Sequence, residues 1–201
     1  MTDTPASRRD RTPTGVRVPV CGIFLVGFMG AGKTSVGRLL ADQLGWEFVD
    51  LDARIEAREG LSVPQIFREH GELGFREREH LALRGLLAEL NRNTAAVVAL
   101  GGGAFVQPEN FELLAAPERP SVFLDTPVEE LWQRCSIQGE PERPLRTDPV
   151  EFRALYEKRR VHYLRSAVRV ETAGKSVREI AHEVIESLGL QQKVTNKETP
   201  E

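Results

Sequence analysis

Gly22-Ile23-Phe24-Leu25-Val26-Gly27-Phe28-Met29-Gly30-Ala31-Gly32-Lys33-Thr34-Ser35 is the stretch on which the reading of this chain turns. The apolar run from Cys21 to Val26 has the length and composition of a buried strand. Gly27 to Thr34 satisfies G-x-x-x-x-G-K-[ST], and Leu39, Leu40 and Leu44 then recur at helical spacing up to Gly45, placed where a terminating glycine belongs. Strand, glycine loop and helix in that order form an anion cradle. Glycine lets the backbone turn its N–H groups inward, the helix N-terminus adds partial positive charge, and Lys33 adds a full one. Gly30, Ala31, Gly32, Lys33, Thr34 and Ser35 are therefore the candidate set for a nucleotide's phosphates, and the Thr34 hydroxyl is placed to ligate Mg²⁺.

Outward from this loop, short apolar runs alternate with helical patterns. Glu47 to Val49, Ala95 to Leu100, Ser121 to Leu124 and Ala167 to Val170 read as further strands, and Leu81, Leu83, Leu86, Leu87 and Leu90 as a helical stripe before the third. Such alternation predicts a parallel α/β sheet covered by helices on both faces. The stretch from Asp52 to Arg92 is long for one crossover, and its extra turns read as a small helical insertion. Residues 1–19, rich in Thr, Pro and Arg, and 190–201 lack hydrophobic period and read as disordered tails, leaving one folded unit over 20–189.

With 201 residues, 40% of them apolar, the chain can bury one ordinary core. A net charge of -3 supplies no global positive field for nucleic acid or an anionic membrane, so phosphate binding has to be local. Cys21 and Cys135 are the only cysteines, too sparse for a disulfide scaffold or a zinc site, and they fit a reducing cytoplasm. No apolar run reaches the ~20 residues needed to cross a bilayer.

Asp50 ends the second strand run and Asp52 follows it, at the carboxyl end of a strand, where open parallel sheets bind ligands. One carboxylate can hold Mg²⁺ while the other hydrogen-bonds an attacking hydroxyl, since phosphoryl transfer asks mainly for orientation and charge stabilisation. Asp52 is equally suited to capping a helix that starts at Ala53.

Further motifs make the pattern specific. Gly71-Glu72-Leu73-Gly74-Phe75-Arg76-Glu77-Arg78-Glu79, Gly101-Gly102-Gly103 after the third strand, and Arg143-Pro144-Leu145, in order after the loop and the D-x-D pair, make residues 20–188 similar to the shikimate kinase family. The resemblance implies a three-layer α/β/α P-loop kinase on a five-stranded parallel sheet, monomeric, with a substrate-binding insertion at about 52–92 and a mobile lid at about 137–147. The implied substrates are ATP, with Mg²⁺ on Thr34 and Asp50, and shikimate, phosphorylated on its 3-hydroxyl. By the same resemblance Asp52 is the base-like residue on the shikimate hydroxyls. Arg76, oriented by Glu79, and Arg159 grip its carboxylate, and Gly101, Gly102 and Gly103 let it approach the main chain. Lys33, Asp52 and Arg143 form the catalytic set, with Arg143 reaching the transferring phosphate from the lid. Arg134 packs on adenine, and Lys175 belongs to the ATP site, although Lys175 and Val177 stand where many relatives carry arginine and proline. Lys158 and Arg160 flank Arg159, so the second carboxylate-binding arginine is fixed only to within one residue. A gluconate-type kinase and a non-catalytic nucleotide-binding module are the alternatives; the paired arginines speak against the first, and intact Lys33, Asp50, Asp52 and Arg143 against the second.

Overall fold

A computed structural model of the chain describes residues 20–90, 94–137 and 148–191. The readings made above for 1–19, for the lid at 138–147 with Arg143, and for 192–201 lie outside the described residues. The elements in chain order are β1 (Gly22–Val26), α1 (Lys33–Leu44), β2 (Glu47–Asp50), α2 (Leu51–Glu59), α3 (Val63–Glu89) and β3 (Ala96–Ala99). A 3₁₀ turn (Ala104–Val106) follows, then α4 (Pro108–Leu114), β4 (Ser121–Asp125), α5 (Val128–Ile137), α6 (Pro149–Tyr163), β5 (Val168–Glu171) and α7 (Val177–Ser187).

The five strands are parallel and lie in the order β2-β3-β1-β4-β5. β1, β3 and β4 are buried along their whole length, as inner strands covered on both faces must be. That is why they read as continuous apolar runs, while the edge strands β2 and β5 carry Glu47, Asp50, Arg169 and Glu171. Helices α1 and α7 pack on each other and on the sheet, and α3, α4 and α6 gather with the 3₁₀ turn. Phe28, Phe152 and Trp132 interlock edge to face, with centroids 5.1 and 5.2 Å apart, joining the loop after β1 to α5 and α6. Because the chain leaves β1 for one side of the sheet and reaches β4 on the other, the crevice above the carboxyl end of β1 is the switch point where such sheets bind ligands.

The strands fall within about a residue of the expected runs, and Gly45 caps α1 in the left-handed region (φ 68°). Three details differ. Asp50, not Asp52, caps the helix after β2, which begins at Leu51: the Asp50 carboxylate accepts from the N–H groups of Asp52 and Ala53 at 3.1 and 3.3 Å. A cap must still be extended while its side chain meets the next turn, and Asp50 is extended (φ -96°, ψ 119°) where Asp52 is already helical. Leu81 is 45% exposed, because at 3.6 residues per turn it lies across the helix from Leu83, which faces the core with Leu86 and Leu87. Finally, the helical segment before β3 is broken at Gly71, whose φ 66° and ψ -175° belong to a region essentially reserved for glycine.

Candidate active site

Four loops at the carboxyl ends of β1, β2, β3 and β4 build the site. In the loop after β1, Gly30 (φ 80°) and Gly32 (φ 85°) take left-handed conformations that a side chain would strain, and a Cβ on Gly30 would also press on Cys135 Sγ at 3.0 Å. Lys33 opens α1 and donates its ammonium to the carbonyls of Gly27 and Phe28 at 2.8 and 3.0 Å, so it lies along the loop that precedes it. Thr34 and Ser35 are exposed on the first turn of α1.

The Thr34 hydroxyl donates to Asp50 Oδ2 at 3.2 Å, which brings the loop after β1 to the end of β2. A hydroxyl and a carboxylate side by side are the hard oxygen donors a Mg²⁺ ion takes. No cluster of three or more His, Cys, Asp or Glu suited to a metal occurs among the described residues. A divalent ion here would be shared with nucleotide phosphates, the usual habit of Mg²⁺, and Thr34 with Asp50 fits that group.

Gly101, Gly102 and Gly103 follow β3, and none of them has a positive φ. Their lack of side chains answers to space. A Cβ on Gly101 would sit 2.7 Å from Asp52 Oδ1 and 3.0 Å from Glu79 Oε1, one on Gly102 would sit 3.3 Å from Arg159 Nη1, and one on Gly103 would meet Arg76 Nη1 at 2.6 Å. Two acids and two guanidiniums from α2, α3 and α6 thus converge on one bare stretch of main chain.

Within this cluster Arg76 Nη1 donates to Glu79 Oε2 at 2.8 Å and Nη2 to Glu72 at 3.2 Å. Glu79 is fully buried. Burial raises its carboxyl to about 7, against the opposing pull of Arg76 and with a smaller upward push from Asp52. Burial likewise works against the Arg76 cation, but Glu79 and Glu72 together raise its pKa. Glu79 Oε1 and Arg76 Nε are buried without a hydrogen-bond partner among the described residues, a costly arrangement that polar substrate groups would relieve.

Arg159 and Arg160 point to different tasks. Arg160 is held by Asp125 through contacts of 2.7 and 3.4 Å, whereas Arg159 lies over the Phe28 ring, 5.7 Å from its centroid, and against Gly102.

A family model for shikimate kinase matches residues 29–189. The chain belongs to the shikimate kinase family. The shikimate kinase of Halorhodospira halophila is 46% identical over 170 residues, covering 83% of this chain and 92% of that protein. That of Persephonella marina is 41% identical over 164 residues, covering 81% and 96%. The solved shikimate kinase from Acinetobacter baumannii, in complex with shikimate, superposes with a TM-score of 0.76 at 37% identity, covering 90% of this chain and 96% of that one. The chain is accordingly a shikimate kinase, an ATP-dependent phosphotransferase on the α/β P-loop fold.

Arg134 of α5 donates to the Gly30 carbonyl at 3.3 Å and to Glu130 at 3.0 Å, so it borders the loop after β1. Lys175 is paired with Glu183 of α7 at 2.5 Å. Its loop is tied to the end of β4 by the buried pair of Thr126 and Thr172 hydroxyls, 2.7 Å apart. No helix among the described residues is long and apolar enough to cross a membrane.

Two contributors escaped the sequence reading. Asp125, at the end of β4, gathers Arg160, Arg169 and Tyr156 around one buried carboxylate. Tyr163 buries its ring and donates to the Gly102 carbonyl. The available signal for Tyr163 was its spacing, four residues beyond Arg159 and so on the same helix face.

Proposed function

We propose that the residues gathered on the triglycine turn bind shikimate and that the loop after β1 presents the γ-phosphate of ATP to its 3-hydroxyl. The carrying observation is the convergence of Asp52, Glu79, Arg76 and Arg159 on Gly101–Gly103, beside the Gly27 carbonyl to which Lys33 donates. Arg76 and Arg159 take the carboxylate, for which a guanidinium fork is the matching partner. Glu79 positions Arg76 and offers Oε1 to a substrate hydroxyl. Asp52 orients the 3-hydroxyl and accepts its proton as the phosphorus–oxygen bond forms and the bond to ADP breaks. Lys33 and the loop amides hold the charge on the phosphates. Gly30 to Ser35, Arg134 and Lys175 form the ATP side, and Arg143 of the lid reaches the transferring phosphate. Thr34 and Asp50 would hold Mg²⁺, which when bound neutralises phosphate charge. The enzyme acts as a monomer in the cytoplasm, a compartment that suits a chain with only two cysteines, Cys21 and Cys135, both buried. The insertion at about 52–92 is proposed to carry the substrate contacts and the segment at about 137–147 to close over them.

The test is ADP release with and without shikimate and Mg²⁺, followed by Arg76→Ala. Shikimate-dependent release is expected. Arg76→Ala should raise KM for shikimate about tenfold or more and leave KM for ATP within about twofold. Equal shifts in both constants would overturn the carboxylate assignment.

A further inference from the structure

We infer that Tyr163 is a positioning residue for the acid-binding half of the site, its hydroxyl fixing the Gly102–Gly103 peptide and the Arg159 guanidinium relative to each other. The inference rests on the proposed assignment of Arg159 to the substrate carboxylate. A run of three glycines has more backbone freedom than any other, so its conformation must be imposed from outside. The Ala104 N–H bond to the Gly101 carbonyl, 3.1 Å, closes the turn at its ends. Its middle is held by Tyr163, whose hydroxyl donates to the Gly102 carbonyl. No cis peptide occurs among the described residues, so drawing this carbonyl toward Tyr163 aims the N–H of Gly103 the opposite way.

Arg159 stands one helical turn earlier on α6, on the same face as Tyr163. Its Nη1 would lie 3.3 Å, and the Tyr163 hydroxyl 3.8 Å, from a Cβ on Gly102, so both groups meet the same glycine. Burial raises the phenol pKa, outweighing the opposing pull of the nearby Arg159 charge, so the hydroxyl keeps the proton it donates. Packing alone does not ask for this hydroxyl. The ring lies 5.3 Å from Phe123 of β4 in a fully buried place that phenylalanine would fill as well.

Tyr163→Phe keeps the ring and deletes the anchor. The expected result is a three- to tenfold rise, approximately, in KM for shikimate, with kcat and KM for ATP within about twofold and the fold intact by thermal melting. The companion is Arg159→Lys, alone and combined with Tyr163→Phe. If Tyr163 acts through Arg159, the effect of Tyr163→Phe shrinks to less than half in the Arg159→Lys background. An unchanged shikimate KM, parallel shifts for both substrates, or full additivity with Arg159→Lys overturns the inference while leaving the carboxylate assignment standing. An Arg159→Lys enzyme with wild-type shikimate KM removes that assignment, and this inference with it.

Discussion

At Gly103 the smallest possible insult tests the site, because a methyl group there meets the Arg76 guanidinium, the mobile end of a side chain, rather than main chain. Gly103→Ala should therefore cost less than about 1 kcal/mol of stability while raising KM for shikimate several-fold, read by melting and steady-state kinetics together. Equal damage to ATP binding would count against it. Glu79 makes a prediction with a sign. Its carboxyl is raised from 4.5 to about 7 in the folded protein, so between those values the folded state holds more protons than the unfolded one. Stability from this group is fullest below the unfolded value and is lost as pH rises through the folded one, by on the order of 3 kcal/mol. Glu79→Gln escapes that loss, so its Tm relative to the parent should climb by several degrees between pH 5 and pH 8; a constant difference would refute the shift. Much of this was legible as residue types: Arg76 with Glu79, the three glycines, Lys33. The reason for the glycines was not, since a permissive turn and a crowded one are spelled alike, and only the approach of four charged side chains tells them apart.

Asp50 serves its helix and its neighbour across the sheet at once, capping α2 while accepting from Thr34. Substitution can separate the jobs. Serine caps about as well as aspartate, so Asp50→Ser should melt within about 2 °C of the parent yet lose activity by about 100-fold or more, whereas Asp50→Ala should also lose about 1 kcal/mol. Retained activity in Asp50→Ser would remove Asp50 from the metal site. A second tie lies deeper. Asn110 of α4 is fully buried between His80 Nδ1, 2.8 Å away, and the Ala104 carbonyl, to which it donates at 3.1 Å, linking the helix of Arg76 to the turn beyond Gly103. Asn110→Ala strands those partners and should cost about 2 kcal/mol in denaturant unfolding. Period and composition revealed the strands and the helical stripes, because burial on two faces or one writes itself into the sequence. The cap escaped because D-x-D offers two aspartates, and only backbone conformation decides which stands outside the helix. The bond from Asn110 escaped because no local pattern announces a partner thirty residues away.

For the molecule as a whole, nucleotide binding should be visible as stability. Mg-ATP at about 100 times its Kd adds ~2.7 kcal/mol to a fold that binds it, several degrees in Tm for a chain of this size, and Lys33→Ala should abolish most of that rise. A Lys33→Ala protein that melts with the same increment would disconnect the loop after β1 from the phosphates. Sheet class was legible from alternation and the count of five strands came with family likeness, but strand order was not legible, since nothing in a short apolar run names its neighbour. That order carries a consequence for biosynthesis. The partners of Gly22 and Phe24 are Ala96 and Ser121, so the central strand is made first and flanked last. Until the segment around residue 99 has left the ribosome, Gly-Ile-Phe-Leu-Val is an apolar ribbon with both edges open, and one edge stays open until the segment around residue 125 follows, the kind of sequence that chaperones hold and aggregates recruit. The strand that aims the phosphate loop is also the nascent chain's most exposed liability.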